Sequence, residues 1–483
     1  MPRRIAVIGS GASGLAAAKA ALECGLEPTV LEAAGDMSGL WRNSSGFVWP
    51  EMRTNVSKWT CSFSDFSWAH DEDDFPQAKA VEAYLRAYAK KFAIDQRIRV
   101  DRRVSHVGRA GRSWRVQAGD EAHFFDGVVV ASGIFSTPHV PTIAGIQDFS
   151  GKITHAARHR FPGPGGQRVA VVGASLSGIE IASQLAERGS EVLLFFERPP
   201  WILPRYMSTG TGRRVPFDLM IYRRQEGEAA DGAADRKEQN RQVASYMKRA
   251  FGDPGDAHPA LSPGVDGEPI LAAVSDAFIP FVRSGGIQPI RERIVGVGRK
   301  HVQTTSGRTF EVDAITFCTG YRSDLSFLDA RIKEIVGYDP LDMLLPFVAN
   351  KTVAHPDAKG IYFVGLYKGP YFGVMELQAR WAAMMLSGDL PHYKRKRERE
   401  LVAHEKAIRR LRPRPQFPHS EYVQFADELA LEIGATPCAG DATMSEVLRN
   451  APVTPHQYRL SGPFADPQVA MHGMRSALER SRS

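Results

Sequence analysis

Cysteine is scarce in this chain: Cys24, Cys61, Cys318 and Cys438 are the four in 483 residues, far apart and forming no Cys-x-x-Cys pair. That excludes a disulfide framework and a dithiol redox motif, and it points to a reducing compartment. Long apolar runs are missing as well, since none reaches the roughly 18 residues a membrane-spanning helix needs. With Met1-Pro2-Arg3-Arg4 alone ahead of the first apolar stretch, no signal peptide is expected, and the expected location is cytoplasmic. Charge of one sign does not dominate: 61 Lys and Arg stand against 54 Asp and Glu, a net +7. The densest basic run, Lys394-Arg395-Lys396-Arg397, is followed by Glu398, Arg399 and Glu400. Without an aromatic platform or recognition motif beside it, it reads as a solvated helix face and implies no nucleic-acid partner. Neither a metal-ligand cluster nor a Ser/His/Asp or Cys/His constellation is recognisable, so no metal site and no side-chain nucleophile is expected.

What the chain does have is glycine at two places where spacing matters. Gly9-Ser10-Gly11-Ala12-Ser13-Gly14 follows the run Ile5-Ala6-Val7-Ile8, and Gly173-Ala174-Ser175-Leu176-Ser177-Gly178 follows Val169-Ala170-Val171-Val172. Each loop opens a helix of small residues, the strand, turn and helix order that brings a pyrophosphate to a helix N-terminus. The first unit is complete, with a helix expected from Ser13 to Cys24 and a strand, Pro28 to Leu31, ending at Glu32. An acid at that tip accepts hydrogen bonds from ribose hydroxyls. In the second unit Ser175 takes the middle position, and the strand Glu191 to Phe196 ends at Glu197-Arg198. An arginine there welcomes a 2′-phosphate and a carboxylate repels it. Arg198 therefore favours NADPH, while Glu197 keeps NADH in play. Two such loops in one chain imply two dinucleotides with electrons passing between them.

The segment from Trp41 to Phe75 holds four of the seven tryptophans, Trp41, Trp49, Trp59 and Trp68, which suits either the cover of a flat ring system or core packing. A helix from Lys79 to Phe92, a β-meander over Ile98 to Val107 and Trp114 to Ala118, and a strand from Gly127 to Ala131 ending at Ser132-Gly133 complete a first domain. Pro138, Pro141 and Gly145 mark a linker. Arg223 to Pro263 reads as a charged insertion, helical from Asp235 to Phe251. Strands at Ala314–Phe317, leading into Cys318-Thr319-Gly320-Tyr321, and at Gly360–Gly365 return the chain to the first domain. Helical segments with Pro-rich turns follow from Met375.

Several separated motifs then agree. They are the two glycine loops, Ser38-Gly39-Leu40-Trp41, Arg53-Thr54-Asn55-Val56-Ser57-Lys58 leading to Phe63-Ser64-Asp65-Phe66, Phe149-x-Gly151-x-x-x-His155, Trp201-Ile202-Leu203-Pro204-Arg205, Phe317 to Tyr321, and Glu376-Leu377-Gln378-Ala379-Arg380-Trp381. Over Arg4 to Trp381 the chain resembles the class B flavin-dependent monooxygenases, the flavin-containing monooxygenase family. The resemblance implies an α/β fold of two Rossmann-like dinucleotide-binding domains of the FAD/NAD(P)-binding, three-layer ββα type, the second inserted in the first. The expected divisions are an FAD domain over 1–162 and 307–385, an NADPH domain over 163–306 with the insertion at about 223–263, and a C-terminal helical extension over 386–483. The implied activity is of the N,N-dimethylaniline monooxygenase kind: one atom of O2 enters a soft nitrogen or sulfur nucleophile by way of a C4a-hydroperoxyflavin. A small-molecule substrate, O2 and a homodimer are the implied partners.

One departure bears on the reaction. The family signature usually ends with an aromatic residue four positions after its histidine, where this chain has His159, with Phe161 two further on. The Baeyer-Villiger group carries tryptophan there, so its absence weighs against ester-forming chemistry. That alternative stays open, as do an uncoupled NADPH oxidase and a non-catalytic redox sensor that binds both dinucleotides.

By the same resemblance, FAD falls to Gly9, Gly11, Ser13, Gly14, Glu32, Gly39, Leu40, Trp41, Thr54, Asn55, Val104, Ser132, Gly133 and Gln378. In that set Leu40 and Trp41 line the flavin, Val104 offers backbone groups to the adenine, and Gln378 lies near the isoalloxazine. The nicotinamide cofactor, NADPH with NADH as the alternative, falls to Gly173, Ser175, Ser177, Gly178, Arg198, Thr319 and Gly320. Asn55 is the catalytic candidate, because an amide donates and accepts at once and the family asparagine touches both cofactors. His155 is expected to be a structural histidine between the domains.

Overall fold

The two apolar runs ahead of the glycine loops are the centres of two parallel sheets in the computed structural model, which describes residues 2–160, 165–210, 212–224, 233–369, 371–390, 395–419 and 422–482. In the first sheet Ile361–Phe363, Gly127–Val130, Arg4–Ile8, Glu27–Leu31 and Ile98–Arg99 lie side by side in that order. In the second the order is Ile287–Ile290, Glu191–Phe195, Arg168–Val172, Ala314–Phe317 and Lys152–His155. Parallel strands need cover on both faces, which is why Ile5 to Ile8 and Val169 to Val171 read as continuous apolar runs rather than alternating ones, all of them buried. The helix Ala12–Glu23 leaves the first loop and buries Ala16, Ala17, Ala18, Ala20 and Ala21. Small side chains let it sit close between its own sheet and the helix Phe372–Ser387 on its other side.

Each sheet carries a three-stranded antiparallel meander. The first runs Val104–Ala110, Ser113–Ala118 and Glu121–Phe125; Ile98–Arg99, expected to open it, pairs with Glu27–Leu31 in the parallel sheet instead, and Glu121–Phe125 supplies the third strand. The second, Ile294–Val297, His301–Thr304 and Thr309–Glu311, repeats the plan in the second domain. The fold is α/β with two dinucleotide-binding units, and the strand Ile361–Phe363 closes the first sheet after the second unit is complete.

The pairings correct the expected boundaries at 162/163 and 306/307. Lys152–His155 and Ala314–Phe317 pair with each other, and the latter with Arg168–Val172. The second unit therefore begins before His155 and runs through Phe317. A strand's sheet is decided by its partner across the ladder, which local sequence does not display. Within the insertion a helix spans Ala233–Phe251; 225–232 lie outside the described residues, as do Phe161 and Lys394. Arg397 and Arg399 are exposed on the helix Arg395–Arg410, with Glu398 buried between them.

The C-terminal extension is welded to the first unit by buried charge. Arg459, 3% exposed at its side chain, reaches Glu23 at 2.9 Å, Asp65 at 3.1 Å and Glu376 at 2.9 Å. Its Nε donates to Ser64 Oγ at 2.8 Å. Lys19 pairs with both Glu23 and Asp65, while Arg380 donates to the carbonyls of Tyr458 at 2.9 Å and Pro463 at 2.6 Å. Burial by itself raises the pKa of Glu376, but Arg459, then Lys19 and Arg380, hold it down at about 2. A carboxyl lowered in the folded state contributes stability that is full above its ordinary value and is lost as pH falls through that value toward 2. Arg459→Met leaves Glu23, Asp65 and Glu376 without their shared cation. The expected loss is about 3–5 kcal/mol, read from urea denaturation at pH 7; a loss below about 1 kcal/mol would show that the cluster is not fully desolvated.

Candidate functional site

The two glycine loops are geometric twins. Gly9 and Gly173 have φ of +104° and +105°, and a Cβ at either would meet a carbonyl oxygen at 2.6 Å, that of Ala131 or of Cys318. A Cβ at Gly14 would fall 1.8 Å from Gly9 O, and one at Gly178 would fall 1.8 Å from Gly173 O. The chain thus turns sharply off each strand and presses the following helix onto the turn. Gly11 and Ser175, the residues that precede the helices, are both extended, and neither makes a side-chain cap. The first-turn N–H groups of both helices are left for an anion.

The surroundings of the first loop fit a dinucleotide. Ser38 and Ser132 each bury a hydroxyl oxygen with no hydrogen-bond partner among the described residues, as does Thr54 on the segment next to Asn55. Ser38 N–H donates to Ser10 O at 3.1 Å, and Ser132 follows Ala131, whose carbonyl meets Gly9. Unpaired buried hydroxyls are costly unless a ligand completes them. Glu32 is buried at the tip of its strand, accepting from Ser10 N at 2.9 Å, Ser10 Oγ at 2.7 Å and Ala34 N at 2.9 Å. These donors fix the carboxylate and leave lone pairs for further hydroxyls. Gly39, Leu40 and Trp41 form a half-buried 3-10 turn on Gly11, and Gly133 stands beside Ser132 with φ +75°. Val104 opens its meander two residues after Arg102, whose N–H donates to Glu32 O at 2.8 Å.

Two candidates have their polar atoms engaged by the protein. Gln378, fully buried, accepts from Gly365 N at 2.9 Å and donates to Lys351 O at 3.1 Å and Thr352 Oγ1 at 2.8 Å. Its amide shapes the turn at Gly365, where a Cβ would strike Ser13 Oγ. Ser13 itself contacts Met375 Sδ at 3.4 Å.

Asn55 lies on a segment anchored on both sides of it. Thr54 N donates to Pro76 O at 3.0 Å, and Lys58 N donates to Asp74 O at 2.7 Å. A single oxygen, Asp218 Oδ2, also accepts from Ser57 N at 3.0 Å, Ser57 Oγ at 2.7 Å and Thr60 Oγ1 at 2.6 Å. Asp218 is fully buried on the short helix Phe217–Ile221, which belongs to the excursion between Glu191–Phe195 and Ile287–Ile290 of the second sheet. Burial raises its pKa, and the Thr60 and Ser57 hydrogen bonds oppose that rise. The Asn55 side chain is half-buried and makes no hydrogen bond with the described residues. A free amide on a fixed backbone is available to a ligand. Sequence reading missed Asp218, although an acid inside the apolar run Val215-Pro216-Phe217-Asp218-Leu219 was a usable signal.

In the second unit Ser177 and Ser175 are half-buried at the loop. Gln416, from the C-terminal extension, donates to Ser175 Oγ at 3.3 Å and to Ala272 O at 3.1 Å. Arg198 turns its guanidinium to Pro269 O at 2.5 Å, and exposed Glu197 stands 3.9 Å from Arg293. Arg293, unnoticed in the sequence because it lies some 95 positions away, puts a second guanidinium at this tip. Thr319 Oγ1 donates to His139 O. His155 accepts from Ala157 N at 3.0 Å through Nδ1, so its Nε2 carries the proton and donates to Gly320 O at 3.1 Å. Burial lowers its pKa, and the neutral ring joins the signature strand to the Thr319-Gly320 turn. His159 is buried edge-on to Trp49, ring centroids 6.0 Å apart. Burial, then Lys152, Arg188 and Arg160, bring it to about 4, so it packs as a neutral ring would.

Cys61 and Cys318 are buried, with burial pushing each thiol up to about 12. Among the described residues no three His, Cys, Asp or Glu side chains are grouped to hold a metal, and no helix is long and apolar enough to cross a membrane.

Comparison with known proteins covers almost the whole chain. A sequence profile described as flavin-binding monooxygenase-like matches residues 2–480. Dimethylaniline monooxygenase (N-oxide-forming) 2 of Cavia porcellus is 28% identical over 492 aligned positions, 96% of this chain and 89% of that one. In structure the chain is similar to the S-allyl-L-cysteine S-oxygenase of Allium sativum, with a TM-score of 0.63 at 22% identity over 99% of both chains. It is also similar to an oxidised steroid monooxygenase bound to NADP, with a TM-score of 0.65 at 18% identity over 89% of this chain and 97% of that one.

Because Gly14 and Gly178 do the same work in separate loops, they separate the two sites. Gly178→Ala forces a methyl against Gly173 O, 1.8 Å away, and is expected to weaken NADPH binding by tenfold or more, about 1.4 kcal/mol, with the FAD content of the purified protein unchanged. Gly14→Ala is expected to do the reverse. Flavin absorbance and an NADPH titration read both, and loss of both cofactors in either variant would contradict independent sites.

Proposed function

The chain belongs to the flavin-binding monooxygenase-like family, and we propose that it is an FAD- and NADPH-dependent enzyme that places one oxygen atom of O2 on a soft nitrogen or sulfur nucleophile. The observation that carries this reading is the pair of matched, uncapped glycine loops with the unengaged Asn55 amide on a segment tied to both units. The printed activities of the relatives, N-oxide formation in one and S-oxygenation in the other, support the substrate chemistry.

We assign FAD to the first unit, where Gly9, Gly11, Ser13 and Gly14 present the helix N-terminus to its pyrophosphate and Glu32 accepts from the ribose. Ser38, Thr54 and Ser132 supply hydroxyls, and Leu40, Trp41, Val104 and Gly133 line the remainder. NADPH is assigned to Gly173, Ser175, Ser177 and Gly178, with Thr319 and Gly320 fixing the facing turn. Bound FAD supplies the chemistry with O2, and bound NADPH supplies the hydride. The chain's own part is to bind, orient and keep water out. Thr54, Val56, Ser57, Lys58 and Thr60 are all buried, so the amide of Asn55 is held in a segment that water does not reach easily. There the backbone is fixed by Thr54, Ser57 and Lys58 while the amide itself stays available to a bound group.

The charges at the second tip bear on cofactor choice. Glu197 is shared with Arg293 at 3.9 Å, so the carboxylate that repels a 2′-phosphate also occupies a cation that would attract one. His159, small and polar where the Baeyer-Villiger group has tryptophan, supports N- or S-oxygenation over ester formation. A thioether and a cyclic ketone assayed side by side for NADPH consumption and oxygenated product decide between them; turnover of the ketone alone would reverse the assignment.

Asn55→Ala is expected to keep FAD and NADPH oxidation while product per NADPH falls roughly tenfold or more, the scale for losing one positioned hydrogen-bonding group, with hydrogen peroxide making up the difference. Unchanged coupling would remove Asn55 from the mechanism. Glu197→Ala is expected to lower the ratio of NADH to NADPH kcat/KM, and an unaltered ratio would count against Glu197 facing the ribose.

A further inference from the structure

The turn Ser57-Lys58-Trp59-Thr60 opens two residues after Asn55. Ser57 O accepts from Thr60 N at 3.1 Å and from Cys61 N at 2.8 Å, which closes the turn on itself. Three of its donors, Ser57 N, Ser57 Oγ and Thr60 Oγ1, then converge on Asp218 Oδ2. An amide and a hydroxyl of one residue on one acceptor fix both where Ser57 sits and how it is turned. With Thr54 N held by Pro76 O at 3.0 Å, the Asn55 backbone is pinned one residue before it and two after.

The acceptor is itself held from both sides. Ahead of it Phe217 N donates to Arg205 O at 3.0 Å, and Tyr206–Ser208 pairs with Arg214–Pro216. Behind it Tyr222 O accepts from Val453 N at 2.8 Å, and the Tyr222 hydroxyl lies 2.7 Å from that of Tyr371. Ser57, Thr60 and Asp218 are fully buried, and the other oxygen of the carboxyl, Oδ1, has no hydrogen-bond partner among the described residues. A carboxyl group there is unfavourable in either protonation state, because one oxygen is left unpaired in an apolar setting. Such a feature is kept against stability where function needs a fixed geometry.

The geometry points to Asp218 as a positioning residue for the oxygenation: from the second unit, its carboxyl sets where the Asn55 amide stands, and the yield of oxygenated product per NADPH depends on it. The inference rests on the role proposed above for Asn55 and names what holds that residue in place. When the yield is full, a thioether, NADPH, a proton and O2 give sulfoxide, NADP⁺ and water. When it fails, NADPH, a proton and O2 give NADP⁺ and hydrogen peroxide.

The FAD-loaded enzyme is assayed with NADPH and methyl phenyl sulfide, with sulfoxide and peroxide both counted against NADPH. Asp218→Leu removes the acceptor and is expected to lower sulfoxide per NADPH about tenfold, with peroxide making up the difference and the FAD content and KM for NADPH unchanged. Asp218→Asn keeps a carbonyl oxygen for the same three donors and is expected to restore most of the yield. Tyr222→Phe, which loses only the hydroxyl contact at the end of the same helix, is expected to keep the wild-type yield; an equal loss there overturns the assignment to Asp218. If Asp218→Leu does not retain FAD, Thr60→Val carries the test, since it removes one donor and leaves two, and a wild-type yield in it overturns the inference. Because Asp218 acts through Asn55, adding Asp218→Leu to Asn55→Ala is expected to lower the yield no further, and additive losses overturn the inference.

Hydrogen exchange of a peptide spanning residues 53–62, read by mass spectrometry, needs no turnover. Asp218→Leu is expected to speed it about tenfold, and unchanged exchange overturns the inference. Full yield in Asp218→Leu beside an uncoupled Asn55→Ala refutes the inference and leaves the role of Asn55 standing. Full yield in Asn55→Ala refutes both. A wild type that gives only peroxide refutes the oxygenation; faster exchange in Asp218→Leu then upholds Asp218 as the anchor of the segment.

Discussion

One buried guanidinium ties three elements of the first unit to the C-terminal extension. Arg459 comes from the C-terminal extension, yet it meets Glu23 on the helix of the first glycine loop, Asp65 in the aromatic-rich segment and Glu376 on the helix Phe372–Ser387. Three carboxylates this close together repel one another in a low dielectric, and they stay together because Arg459, Lys19 and Arg380 balance them charge for charge. The cluster joins elements that lie up to 436 positions apart. The extension is thus part of the framework that positions the first dinucleotide loop, and it also sends Gln416 to the second.

On that frame the chain uses one device twice. Both sheets are five parallel strands with a three-stranded meander, and both glycine loops share the same φ, the same carbonyl contact and the same bare helix start. What differs is what each loop faces. Beside the first stand Glu32 and the buried hydroxyls of Ser38 and Ser132, which have no partner among the described residues; at the second, Gln416 donates to Ser175, and at the tip of the next strand Glu197 lies 3.9 Å from Arg293. The backbone geometry suited to a pyrophosphate is the same in either place, and the side chains around it differ.

Much of this was legible in the sequence wherever the determinant is local. Apolar runs ending in glycine gave the strands and loops, alternation gave two strands of the first meander, and the acid at the strand tip marked Glu32. Partners brought together by the ladder or by packing were not legible. Lys152–His155 and Ala314–Phe317 carry no mark of which sheet they join, so the domain boundaries moved once their pairings were seen. Gln378 sits in a motif associated with the flavin, yet its amide is used up on Gly365, Lys351 and Thr352. Asp218 and Arg293 act on residues about 160 and 95 positions away, beyond any periodicity.

The three hydrogen bonds converging on Asp218 Oδ2 have a consequence for motion. The acceptor belongs to the second unit, and the donors, Ser57 and Thr60, follow Asn55 in the first. Any swing that parts the units must break three bonds at one atom, leaving a bare carboxylate oxygen in an apolar setting, so opening and loss of the Asn55 arrangement are one event. The Asn55 segment and the second unit are thus held to one another at a single carboxylate oxygen.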